Sequence, residues 1–145
     1  PLCVPINVQG SQSRNLPQMI DGAFGSHKQM IIFPAGLCSR KIDGVIQDRA
    51  WTKTFIVKSK ESKRAIVPVH FIGRNSNRFY RVARLCTILK LKTNLAMFLL
   101  PDEFYKARNS KFTVIFGKPI PSETFDNSRT PLEWASVVRK TVYEL

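Results

Sequence analysis

The sequence predicts an α/β domain, with a mixed, partly parallel central sheet flanked by helices. Three observations carry this. Apolar runs bounded by Gly and Pro at residues 29–33, 64–72 and 111–117 read as strands. The segments between them place apolar residues three and four apart, the spacing of helices. Strand and helix thus alternate, which favours parallel strands joined by helical crossovers. At 145 residues the chain suits one domain, burying about 70% of its unfolded surface, and no repeat or linker divides it.

Residues 2–8 read as an opening strand, with Pro5 marking an edge or bulge, and residues 10–15 as a polar loop. A short helix is expected over 16–24, with Leu16, Met19, Ile20 and Phe24 on one side. The strand at 29–33 stops at Pro34 and Gly36. Asp48 has the chemistry of an N-cap for a second helix, whose apolar stripe holds Trp51, Phe55 and Ile56. Residues 64–72 form a continuous run of the fully buried kind, closed by Gly73. Over 77–92, Phe79, Val82, Cys86 and Leu89 recur at helical intervals, while Arg78, Arg81, Arg84, Lys90 and Lys92 cover the remaining surface. A helical continuation over 94–100 is expected to end at Pro101. After the strand at 111–117, a last helix has Thr130 as N-cap, Pro131 first and Glu133 completing a capping box. Its stripe is Leu132, Ala135, Val138, Val142 and Leu145.

A hydrophobic fraction of 43% with ten Phe excludes a disordered chain. No apolar run approaches the roughly 20 residues that cross a bilayer. The cysteines (Cys3, Cys38, Cys86) lack Cys-x-x-Cys spacing, so neither a disulfide framework nor a metal site is expected, and a reducing compartment is. The net charge is +13, and between Arg49 and Lys92 twelve basic residues face one acid, Glu61. Such a field attracts polyanions: nucleic acid, an anionic lipid surface or a phosphorylated ligand. The chain opens at Pro1 inside an apparent strand, as a piece of a longer protein would.

The most informative stretch is residues 31–41, where an apolar run meets Pro34, Gly36, Ser39, Arg40 and Lys41. A strand ending in a Pro/Gly turn offers backbone N–H groups and positive charge at its carboxyl edge, where open α/β sheets bind ligands. Arg40 can hold a phosphate or carboxylate bidentately and Lys41 as a point charge. Cys38 has no base beside it and reads as a small half-buried residue.

This stretch resembles the Phe-Pro-Glu-Gly-Thr-Arg-Ser motif of the glycerophospholipid acyltransferases, the lysophosphatidic-acid-acyltransferase-like enzymes. Phe33, Pro34, Gly36 and Ser39 match, whereas Ala35, Leu37 and Cys38 replace Glu, Thr and Arg. Ile66-Val67-Pro68-Val69 is similar to the family's hydrophobic strand with a central Pro, and residues 112–120 to its closing strand ending in Gly-x-Pro-Ile. Arg78-Phe79-Tyr80, Ala83-Arg84-Leu85, Asn94 and Leu100-Pro101-Asp102-Glu103 resemble a bacterial, hemolysin-like branch that includes enzymes acylating ornithine or glycine lipids. The resemblance covers nearly the whole chain. Residues 1–145 then read as the C-terminal portion of a single acyltransferase domain, truncated at its N-terminus.

The resemblance implies acyl transfer from acyl-CoA or acyl carrier protein, a co-substrate and not a cofactor, to a lysolipid acceptor: a lysophospholipid or a lyso amino-acid lipid. It also implies a peripheral enzyme at the cytoplasmic face of the membrane. In the family a His-x-x-x-x-Asp pair does the chemistry, the Asp orienting a His that deprotonates the acceptor. Here His27 and His70 are followed five positions later by Ile32 and Asn75. The catalytic pair is therefore expected upstream of Pro1, with no catalytic residue in the chain and no activity from it alone. His70, on an apolar run, reads as structural and His27 as solvated. The implied acceptor-binding set is Phe33, Pro34, Gly36, Ser39, Arg40 and Lys41. Val8 stands where the family has a phosphate-binding Arg, so Arg14 is a candidate to reach in instead. These departures favour a headgroup without phosphate, such as an acylated amino acid.

Two readings fit the basic segment 74–92: an interfacial helix dipping Phe79, Tyr80 and Leu85 toward lipid, or an amphipathic helix packing Phe79, Val82, Cys86 and Leu89 on the sheet. The rival functions are a nucleic-acid-binding module and a noncatalytic anionic-membrane-docking domain. The chain carries no helix-turn-helix, zinc-finger, KH or RRM signature, so nucleic acid is not the expected partner. An open sheet edge would favour self-association.

Overall fold

The computed structural model describes residues 3, 4, 6, 11–91 and 93–145. The predicted opening strand and the Val8 position lie largely outside the described residues, as does Lys92.

Helix α1 (Leu16–Gly25) begins where Pro17 falls in the first turn, a position that needs no backbone donor. An ion pair of 2.6 Å from Asp21 to Lys58 ties it to α2 (Thr54–Ser62). That helix starts later than the sequence suggests. The carboxylate of Asp48 accepts a 3.1 Å bond from the Trp51 indole N–H, so it is not the cap, and Lys53 occupies the N-cap position.

The predicted strand at 29–33 is a second correction. It runs without a ladder, with Ile31 85% and Phe33 82% exposed. An apolar run becomes a strand only when a neighbour takes its backbone groups, and none does so among the described residues. Instead, β1 (Arg40–Ile42) and β2 (Val45–Gln47) form an antiparallel hairpin just downstream. Its turn, Asp43-Gly44, has positive φ at both residues (49° and 86°), as the hairpin geometry that favours Asp-Gly requires.

The other sheet pairs β3 (Val69–Ile72) with β4 (Thr113–Phe116), also antiparallel. Bonds from Gly117 N–H to the Pro68 carbonyl (2.8 Å) and between Ile66 and Ile120 (2.8 and 2.9 Å) extend the ribbon past Pro68. The class is mixed α/β, as expected, but no parallel pairing occurs among the described residues. Nor is the 64–72 run buried on both faces: Val69 and Phe71 on one face and Ile72 on the other are half-exposed, because a two-stranded ribbon has too few neighbours to cover either face fully.

Helix α3 (Asn77–Ile88) is capped by Ser76, whose hydroxyl accepts from the Phe79 N–H at 3.3 Å. Phe79, Tyr80, Ala83 and Cys86 form its buried stripe, so Phe79 and Tyr80 do not dip toward lipid. A tight turn over Leu95–Leu99 leads into α4 (Leu100–Lys106). Pro101 starts this helix and does not end one, since its missing N–H costs nothing in a first turn. Helix α5 (Pro131–Tyr143) carries the capping box that the sequence predicts. It buries Ala135, Val138 and Val142 but leaves Leu132 54% exposed.

The described residues form two buried clusters. In one, Phe55, Ile56, Phe125, Ala135 and Val138 join α2 to α5. In the other, Phe79, Tyr80, Ala83 and Ala96 join α3 to the turn before α4, with Cys38 and Ile46 packed against them. Partly buried guanidinium groups fix the loops around these clusters. Arg64 donates to the carbonyls of Phe24, Ser26 and Lys28, and Arg139 to Gln47 and the Asp48 carbonyl. Among the described residues no helix is long and apolar enough to cross a membrane.

Candidate functional site

The hairpin lies against α3, and a cleft of about 660 Å³ opens between them. Lys41, Ile42, Asp43 and Gly44 line one wall; Asn77, Tyr80, Arg81 and Arg84 line the other. The sequence dictates each wall locally. The Asp43-Gly44 turn presents Lys41 at the rim, and helical spacing brings Asn77, Arg81 and Arg84 to neighbouring positions one turn apart. Three cations thus face one carboxylate, Asp43.

No ion pair engages Lys41, Arg81 or Arg84 among the described residues. Arg78 differs: it reaches Asp102 at 3.8 Å, which turns it toward α4. The cleft therefore keeps unneutralised positive charge, beside an Asn77 amide whose oxygen accepts from Arg74 at 3.2 Å. A second depression, of about 370 Å³, sets Lys60 and Lys63 against Glu123 and Asp126 and has no such surplus.

Tyr80 connects the site to its supports. Its ring is 4% exposed, yet its hydroxyl accepts from the Asn75 N–H at 3.2 Å and lies 3.4 Å from the Ser39 hydroxyl. Behind it, the buried Glu103 accepts from both the N–H and the hydroxyl of Ser76 at the start of α3. A carboxylate there complements the positive end of the helix and holds the residues that line the cleft.

The predicted binding residues divide. Lys41 lines the cleft, and Ser39 touches Tyr80 from behind it. Arg40 turns away: its guanidinium donates to the carbonyls of Cys38 (2.7 Å) and Ser39 (3.1 Å) and stacks 5.8 Å from the Phe79 ring centre. Pro34 and Gly36 build the preceding turn. Gly36 N–H bonds the Phe33 carbonyl at 3.0 Å with φ +67°, and the Pro34 carbonyl holds the Thr52 backbone at 3.1 Å. The Phe33 ring is exposed and does not line the cleft, and Arg14 is exposed beside the start of α1. Arg81, Arg84, Asn77 and Tyr80 were legible as a helix but not as a wall. The signal was Asp43-Gly44, which folds Lys41 back beside that helix.

Neither histidine enters the cleft. His70 packs its ring 5.6 Å from Tyr143, with Nδ1 buried and unpartnered among the described residues, and His27 is exposed. No group of His, Cys, Asp and Glu able to hold a metal occurs among the described residues.

A mixed α/β chain with an anion-attracting cleft beside a Phe-Pro-x-Gly turn fits a class of group-transfer enzymes, and sequence comparison identifies which. The acyltransferase family matches over residues 1–145, and the chain belongs to it. Similar proteins include the lyso-glycine lipid O-acyltransferases of Bacteroides thetaiotaomicron, 56% identical, and of Phocaeicola vulgatus, 52% identical, each over 145 residues and 100% of this chain. The chain spans about half the length of these relatives, 53% and 52% respectively. No solved structure matches it.

Proposed function

We propose that this chain is the acceptor-binding part of a lysolipid O-acyltransferase, and that its acceptor carries an amino-acid headgroup of the glycine-lipid kind. A glycine joined to a fatty acid through its nitrogen keeps one carboxylate. The cleft offers that carboxylate Lys41, Arg81 and Arg84, and offers the adjoining amide the Asn77 side chain. The observation that carries the reading is the unpaired cationic cleft beside the Phe33–Ser39 motif, in a chain more than half identical to proteins named for that acceptor.

In this reading the acceptor hydroxyl attacks the thioester carbonyl of acyl-CoA or acyl carrier protein. A base takes its proton, the C–S bond breaks, and the thiol leaves with that proton. No histidine of this chain stands five residues before an aspartate, so the base belongs to a part of the full-length protein outside these residues, and the chain alone is inactive. Its own residues bind and orient. A peripheral position at the cytoplasmic face, where such acceptors lie, completes the reading.

The test is steady-state kinetics of the full-length enzyme. Arg81→Ala and Arg84→Ala should each raise the apparent KM for a lyso-glycine lipid about tenfold, the effect of one charge-assisted hydrogen bond, with kcat little changed. Lysophosphatidic acid should be the poorer acceptor. Unchanged kinetics in both variants, or a preference for lysophosphatidic acid, would refute the assignment.

A further inference from the structure

Helix α5 packs on α2 and β3, yet two of its side chains cross to the foot of the β1–β2 hairpin. Arg139 and Tyr143 stand one helical turn apart and so share a face. Between them they hold both backbone groups of one residue. The Tyr143 hydroxyl accepts from the Asp48 N–H at 2.8 Å, and the Arg139 guanidinium donates to the Asp48 carbonyl at 2.8 Å. The same guanidinium donates to the side-chain oxygen of Gln47 at 3.0 Å and lies 5.0 Å from the Tyr143 ring centre, which keeps the two side chains together. These bonds join residues 91 and 95 positions apart in the chain.

Gln47 ends β2 and pairs with Arg40; the next rung pairs Ile46 with Lys41, a cation of the cleft. A hairpin with three residues in each strand does not hold its own position. On the α3 side it is held by Ile46 and Cys38, packed against the cluster of Phe79, Tyr80 and Ala83, and by Arg40 over the Phe79 ring. Contacts on one side leave a ribbon free to rock about them. A second anchor at the foot removes that freedom. The Arg139 bonds are charge-assisted and part-buried, the kind that fixes geometry as well as adding stability.

We propose that Arg139 and Tyr143 are positioning residues for the acceptor: by clasping Gln47 and Asp48 they set Lys41 at its distance from Arg81 and Arg84 across the cleft. Neither residue lines the cleft itself. The clasp stands on the hydrogen bonds alone, whereas its effect on the acceptor rests on the reading of the cleft given above.

The test uses the full-length enzyme with Tyr143→Phe, which loses only a hydroxyl at a position 40% exposed, and Arg139→Gln. Each should raise the apparent KM for a lyso-glycine lipid about threefold with kcat little changed. In a Lys41→Ala background neither should raise KM further, since no Lys41 is left to place. Hydrogen exchange of the amides of residues 40–47 should quicken by a similar factor, with the α3 amides at the wild-type rate. Thr130→Ala weakens α5 at its capped end and should change neither KM nor hairpin exchange. Either clasp variant decides the matter if the other misfolds. Unchanged KM or unchanged hairpin exchange in folded variants would overturn the proposal. So would a KM effect that persists on Lys41→Ala, an equal effect from Thr130→Ala, or a fall in kcat at constant KM, the mark of a merely structural role. If Lys41→Ala, Arg81→Ala and Arg84→Ala all leave KM unchanged, the acceptor assignment fails and takes the positioning role with it. If those three respond while the clasp variants do not, the positioning role fails alone.

Discussion

Arg40 and Arg81 have the same side chain, and the structure gives them different work. Arg40 spends its guanidinium on the carbonyls of Cys38 and Ser39 and on the Phe79 ring, so it holds the motif turn in shape. Arg40→Ala should therefore lower stability by about 1 kcal/mol in urea unfolding and leave acceptor KM close to wild type, the reverse of the pattern expected for Arg81→Ala. Glu103 is the other decisive residue. Removing it in Glu103→Ala leaves two Ser76 donors without an acceptor, one of them a backbone N–H at a helix start. A cost of about 2–3 kcal/mol is expected in the same measurement, and less for Glu103→Gln, which keeps an acceptor oxygen.

At the scale of elements, the capping box of α5 makes the clearest prediction. The Glu133 carboxyl is held below the usual carboxylate range, first by the Thr130 backbone N–H and then by its hydroxyl. A depressed value means that this contribution to stability is fully present above the ordinary carboxylate pKa and is lost as pH falls through the lowered one. Thr130→Ala should cost about 1 kcal/mol at neutral pH, and the gap from wild type should narrow on acidification, as thermal unfolding across that range would show. The β1–β2 hairpin depends on Gly44 in the same local way. With φ at 86°, Gly44→Ala strains the turn that presents Lys41, and should lower stability and raise acceptor KM together.

Across the whole molecule, stability and site rest on different cores. The α2–α5 cluster contains Ile56, fully buried, whereas the cleft stands on the cluster of Phe79, Tyr80, Ala83 and Ala96. Ile56→Val should accordingly lower unfolding free energy by about 1 kcal/mol without altering the acceptor KM. The uncovered face of the β3–β4 ribbon belongs to this scale too. Val69 pairs with Phe116 and Phe71 with Val114, so four apolar side chains share one face, and all four are more than 40% exposed.

Local chemistry was enough to read α1, the capped α5, the helix after residue 76 and the motif turn, because caps, prolines and helical spacing act within a few residues; of the stripe Phe79, Val82, Cys86 and Leu89, however, Phe79 and Cys86 are buried while Leu89 is 57% exposed. The same holds for the family resemblance, which lies in short motifs. What stayed hidden needed partners far along the chain. The run at 29–33 looks like a strand but finds no ladder, the 64–72 run pairs antiparallel with 113–120, and Asp48 meets an indole before it can cap a helix. The cleft is of this second kind. Lys41 and Arg81 are forty residues apart and face each other across the cleft only because a two-residue turn folds the hairpin onto α3. Sequence by itself determined which residues carry charge, caps and turns; only the tertiary structure decided which of those charges stay unpaired, since pairing depends on distance in space and not along the chain.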